Sequence, residues 1–141
     1  MWPITYARIF PTLFRSLDAM PLGLRQHLRY PEDLFRLQAT VYGTYHMTDP
    51  EVFYNREDQW TFPQVAANGR TTAMQPYDAI MRLPGEPREE FILMRPMVPN
   101  NCDNMIAWLA ARCHGPAYGT VIEFAVPKDK LLFGPAQVGP D

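Results

Sequence analysis

Residues 27–55 read HLRYPEDLFRLQATVYGTYHMTDPEVFYN, and this stretch decides what the chain builds. Pro31 stands where a helix would begin, a position at which its missing N–H costs nothing. Glu32 and Asp33 follow in the first turn, against the positive end of the helix dipole. Leu34, Leu37, Val41 and Tyr45 recur at i, i+3, i+7 and i+11, which predicts a helix that buries this stripe. His46 falls at its end, where a charged ring suits the negative pole. Asp49 reads as the cap of a second, short helix that runs through about Tyr54, with Pro50 and Glu51 in its first turn. Helix signals therefore account for most of the polar residues here. A second reading takes His27, Arg29, Tyr30, Asp33, His46 and Asp49 as a polar, ligand-binding cluster around the helix ends.

On the N-terminal side, residues 3–17 form a short apolar segment broken by Pro11. Tyr6, Ile9, Leu13 and Leu17 share one helical face. Pro21 and Gly23 mark a turn. On the C-terminal side, residues 61–74 are polar and loop-like, with a turn signal at Asn68-Gly69. Residues 77–83 and 90–98 read as two strands of a hairpin joined by a Pro- and Gly-containing loop. Asp103 is expected to cap a helix over 104–113, stopped by Gly115 and Pro116. Residues 119–126 form a third strand, with Ile122, Phe124 and Val126 on one side and Glu123 on the other. The order helix, helix, strand, strand, helix, strand predicts a single α+β domain over residues 1–141, a small, mainly antiparallel sheet with packed helices.

Composition narrows the function classes. The chain has 141 residues, of which 47% are hydrophobic and 20% charged, the balance of a folded domain and not of a disordered one. Its 15 prolines are dispersed, so they punctuate turns and caps. A net charge of −2, without any Lys/Arg-rich run, removes the electrostatic basis for nucleic-acid binding. No apolar run approaches the ~18 residues of a membrane span, so this stretch is not itself expected to insert. No signal-peptide pattern opens the chain. Cys102 and Cys113, at opposite ends of the expected helix, would lie roughly 16 Å apart, beyond disulfide reach. Two free thiols are expected.

No catalytic constellation emerges. His27, His46 and His114 are the only histidines and lack the spacings of a zinc site, so no metal or cofactor is expected. A metal-dependent or hydrolytic domain would need His27, His46 and Asp49 to converge. Ser16 is the only serine and has no nucleophile-elbow motif around it. Cys102 gains nucleophile character only if a helix starts just after it. Glycine-rich phosphate loops are absent. Trp60, Phe62, Tyr77, Trp108 and Tyr118 read as core or, alternatively, as a stacking surface.

The run HLRYPEDLFRLQATVYGTYHMTDPEVFYNREDQW, residues 27–60, resembles the central signature of uncharacterised protein family 0182. TYARIFPTLF before it, and EEFILMRPMVPNNCDNMIAWLAARC, YGTVIEFAVPKDKL and GPAQV after it, are similar to that family's flanking blocks in the same order. The family consists of large prokaryotic multi-pass membrane proteins with a large soluble part. The resemblance implies that this chain is an excised piece of the soluble part, its ends at Met1 and Gly139-Pro140-Asp141 not natural junctions. It further implies an extracytoplasmic domain of an integral membrane protein with a binding or scaffolding role. Its partners would be the remainder of the parent chain, an envelope ligand or another protein. A purely structural assembly module is the alternative. The family supplies no catalytic residues to carry over.

Overall fold

The computed structural model of the chain describes residues 2–67, 69–113, 115–127 and 129–135, and side chains from Thr5 onward except that of Ala67. His114, Asn68 of the expected turn, and Gln137 to Asp141 lie outside the described residues. The architecture is α+β, with mainly antiparallel sheets.

Helix α1 spans Trp2–Ile9, a 3-10 turn Leu17–Ala19, and α2 Leu22–Arg25. The expected central helix is α3, Glu32–Tyr45, with Pro31 in the cap position and both acids in its first turn. The short helix is α4, Pro50–Asn55, whose cap Asp49 accepts hydrogen bonds from the backbone N–H groups of Glu51 and Val52. Arg56, in the left-handed region at φ 55°, ends it.

The main sheet contains β1 (Trp60–Thr61), β4 (Tyr77–Arg82), β5 (Glu89–Pro99), β7 (Ala107–Arg112) and β8 (Val121–Ala125). Long β5 is its axis. Its first half pairs β4 and its last residues pair β1 along one edge, while β7 lines the other edge and β8 follows β7. The expected hairpin is therefore present as β4–β5, and the expected third strand as β8.

Residues 104–113 overturn the helix reading. They form β6 (Asn104–Met105), which pairs β9 (Leu132–Phe133), and then β7, the strand between β5 and β8. Ala107, Leu109, Ala110, Ala111 and Cys113 are all buried, because a central strand has apolar contacts on both faces. Cys102 consequently precedes no helix. It is exposed, Cys113 is buried, and both are free thiols. Residues 61–74 are likewise not a plain loop: β2 (Gln64–Ala67) and β3 (Arg70–Ala73) pair as a hairpin.

Alternation along β5, β7 and β8 divides the core in two. On one face Leu93, Met97, Ala107, Leu109 and Ala111 meet Tyr30, Phe35 and Ala39, with Trp60, Phe62 and Tyr118 packed around them. Ile92, Ala110 and Leu83 form a smaller cluster on the other face, where Trp108 stacks on Phe124 at 4.2 Å. The buried stripe of α3 is Phe35, Ala39 and Gly43. The expected stripe faces outward instead: Leu34 is 44% exposed, Leu37 61%, Val41 48% and Tyr45 69%. Small residues won because α3 lies almost on the backbone of β1; a Cβ at Gly43 would sit 2.6 Å from the Trp60 carbonyl oxygen.

Two ionic features brace the sheet. Arg112 bridges Glu86 and Glu90. Arg95, 3% exposed, donates to the Met74 carbonyl at 2.9 Å and lies over the Phe62 ring at 3.2 Å. Burial, and secondarily the charge of Arg36, pull its pKa down to about 10, against the opposing effect of Glu32.

Candidate functional site

The sequence-expected cluster divides between the two ends of α3, which 14 residues at ~1.5 Å each hold about 20 Å apart. At the N-terminal end, Arg29 pairs with Asp78 at 2.9 Å and lies over the Phe91 ring. The buried Tyr30 hydroxyl donates to Gln38 Oε1 at 2.7 Å. Asp33 is exposed beside Arg36, and His27 is exposed. His46 and Asp49 belong to the other end. Asp49 is occupied as a helix cap, as its position promised.

Two of the six line clefts: Asp33 an open groove with Arg36, Phe62, Gln75 and Arg95, and His46 a more enclosed, more apolar one. The His46 cavity, about 500 Å³, opens where the end of α3 meets Asp58 and Trp60, β6, the outer edge of β8, Pro127 and residues 130–132. Helix spacing puts Tyr42 and His46 on the same face, one turn apart. The His46 ring packs against Trp60, centroids 3.8 Å apart, and its Nδ1 lies 3.1 Å from the Tyr42 carbonyl oxygen. Its side chain is 9% exposed, and Nε2 is buried without a hydrogen-bond partner. Asp58 Oδ2 stands 3.9 Å from that nitrogen, too far for a hydrogen bond. Asp58 Oδ1 instead accepts from the Trp60 indole N–H at 3.1 Å.

The other wall carries Glu123 of β8, whose Oε2 accepts a hydrogen bond from the Tyr42 hydroxyl. That phenol is pushed up to about 12, by burial first, then by its hydrogen bond to Glu123 and by the carboxylate's charge. Ile106, Val126, Leu131 and Leu132 supply apolar lining, and Cys102, Asn104 and Lys130 complete the polar part. Concave apolar walls with a few convergent polar groups are the usual form of a small-molecule site. Among the described residues, no group of three or more His, Cys, Asp or Glu side chains is arranged to hold a metal ion.

Asp58 and Glu123 escaped sequence reasoning as site residues, and Trp60 reads there only as core or as part of a stacking surface. The three reach the His46 cleft from a loop end, β8 and β1, elements brought together only by sheet pairing. Of the aromatics read as a possible stacking surface, Trp60, Phe62 and Tyr118 pack around the α3 side of the core. Trp108 lies on the opposite face, and Tyr77 is 40% exposed.

Among similar proteins is the UPF0182 protein bll7333 of Bradyrhizobium diazoefficiens, 56% identical over 134 residues, which covers 95% of this chain and 14% of that protein. The UPF0182 protein H16_A1615 of Cupriavidus necator is 55% identical over 138 residues, covering 94% and 15%. A UPF0182 protein of Methanospirillum hungatei is 52% identical over 134 residues, covering 95% and 15%. The chain thus spans about 15% of the length of the curated relatives it matches. No solved structure matches it. No helix among the described residues is long and apolar enough to cross a membrane. The profile of the uncharacterised protein family UPF0182 matches residues 4–140, so the chain belongs to that family.

Proposed function

We propose that this domain is a ligand-binding part of a larger, membrane-anchored protein and lies on the extracytoplasmic side. The cleft at the end of α3 carries the reading: an apolar recess of about 500 Å³ whose polar groups include a buried imidazole nitrogen without a partner. A buried polar atom left unsatisfied costs roughly 1–3 kcal/mol, which a ligand donor entering the cleft would relieve. The relatives support a larger parent, since 84–86% of their length lies outside the matched region.

A second reading, docking of the domain onto another part of its parent or onto a protein partner, is favoured by the outward stripe Leu34, Leu37, Val41 and Tyr45. The hydrolytic or metal-dependent reading draws no support from the geometry, because His46 and Asp49 lie at one end of α3 and Arg29, two residues from His27, at the other.

Thermal unfolding against a panel of small ligands tests the binding role. A ligand at ~100 times its Kd adds about 2.7 kcal/mol and raises the midpoint by several degrees. The shift should vanish in Ala125→Phe, which fills the cleft from an exposed position. A shift that persists in this variant would place binding elsewhere. Labelling of Cys102 in intact cells by a membrane-impermeant maleimide, in the full-length protein, tests the side of the membrane. Labelling only after lysis would contradict the extracytoplasmic placement.

A further inference from the structure

The cleft's chemistry identifies the class of ligand it takes, an inference that rests on the cleft being a ligand site. A carbonyl oxygen only accepts hydrogen bonds, so the contact of His46 Nδ1 with the Tyr42 carbonyl, at 3.1 Å, fixes the proton of the neutral ring on Nδ1. Nε2 is then a bare acceptor, buried and unpartnered, on a side chain only 9% exposed. Asp58 turns Oδ2 toward it from 3.9 Å, acceptor facing acceptor. Glu123 adds a second carboxylate on the opposite wall, with Tyr42 as its donor. Among the described residues neither carboxylate forms an ion pair with lysine or arginine, and the one cationic lining residue, Lys130, is exposed. Acceptors and negative charge thus concentrate in a partly enclosed recess, where low-dielectric walls strengthen the field.

We infer that the cleft takes the protonated amine end of an amphipathic molecule. An ammonium group offers three donors and no acceptor, which matches Nε2 and the two carboxylates. The Tyr42 and Trp60 rings add surfaces that attract a cation. Asp58, its side chain 54% exposed, has room to turn and admit an N–H between Oδ2 and Nε2. The apolar body of the ligand then lies along Ile106, Val126, Leu131 and Leu132. A carboxylate-ended amphiphile would meet like charge, and an alcohol would bring one donor and no charge.

Isothermal titration of the protein at neutral pH with octylammonium, octanol and octanoate tests this, because the three share one apolar body. Octylammonium should bind at least about tenfold more tightly than octanol, with octanoate weakest. Glu123→Gln and Asp58→Asn, each confirmed as folded by cooperative unfolding, should weaken octylammonium about tenfold and leave octanol within about twofold. Vesicles of phosphatidylethanolamine in phosphatidylcholine, used in place of the soluble amine, tell a lipid headgroup from a free amine as the source. Equal or tighter binding of octanol or octanoate would overturn the amine assignment while leaving the cleft a ligand site. No binding of any of the three to the folded protein would overturn both.

Discussion

Gly43→Ala isolates the contact that sets α3 on the sheet. In an exposed helix this change gains about 0.8–1 kcal/mol, since alanine is the better helix former. Here the new Cβ would stand 2.6 Å from the Trp60 carbonyl oxygen and 3.4 Å from Met97 Cε. An ordinary contact begins near 3.4 Å, so the helix and β1 must part by about 0.8 Å at that point. The near atom belongs to backbone and cannot rotate away. Overpacking of this kind costs about 1–3 kcal/mol, which offsets the propensity gain and leaves a net loss of up to about 2 kcal/mol. Urea unfolding at constant slope would measure it, with an expected fall of up to several degrees in Tm as a second readout. Gly23→Ala, on the exposed α2 with nothing within 4 Å of its added Cβ, is the control and should be neutral or slightly stabilising. Stabilisation of Gly43→Ala by about 1 kcal/mol would refute the close approach of α3 to β1.

Arg112→Met removes the cation shared by Glu86 and Glu90, leaving the mostly buried Glu90 carboxylate uncompensated. It should cost about 2–4 kcal/mol in urea unfolding, and a loss under about 0.5 kcal/mol would contradict the role given to that network. Tyr42, held up at about 12 against an ordinary 10.0, contributes stability that is complete below pH 10 and lost as pH rises through 12. Its phenolate absorbance should titrate part of the way back toward 10 in Glu123→Gln, burial keeping the remainder, and an unmoved titration would remove Glu123 as a cause. Cys102 should react with a thiol reagent in the native protein while Cys113, buried and with its thiol pKa raised mainly by burial, reacts only on unfolding. Two thiols reacting at one native rate would contradict the central placement of β7.

The parts legible in the sequence were those with local punctuation. Pro31 with Glu32 and Asp33, then Asp49 with Pro50, announce two helices through their caps, and both helices stand where those signals put them. The strands at 77–82 and 89–99 follow from apolar segments on either side of a Pro- and Gly-containing turn, and the strand at 121–125 from alternation. Met105 to Ala111 misled for a physical reason. A central strand buried on both faces is a continuous apolar run, which periodicity alone cannot separate from a buried helix. Alanine and leucine tilt the local preference toward helix, and pairing with both β5 and β8 overrides it. The β2–β3 hairpin was invisible because Arg70, Thr71 and Thr72 are exposed and carry no core-facing pattern.

The outward turn of Leu34, Leu37, Val41 and Tyr45 teaches the complementary lesson. Where a helix lies close to a strand, the buried positions go to residues small enough to permit it, here Ala39 and Gly43, which hydropathy patterns underrate. Of the cleft, the sequence singles out His46 as a site candidate and Trp60 as a possible stacking ring, and leaves Tyr42, one helical turn before His46, unmarked. The cleft's two carboxylates, Asp58 and Glu123, are 65 residues apart in sequence, and only tertiary structure joins them.

His46 Nε2 stands buried without a hydrogen-bond partner, and the amine proposal makes it the acceptor of the ligand's N–H. Side-chain nitrogen NMR of the histidines, recorded with and without octylammonium at neutral pH, reads that atom directly. The expected spectrum gives His46 as the Nδ1–H tautomer, with an Nε2 resonance that moves on ligand addition while exposed His27 stays unchanged. An Nε2–H tautomer at His46, or an Nε2 resonance indifferent to the amine at saturating concentration, would contradict the account.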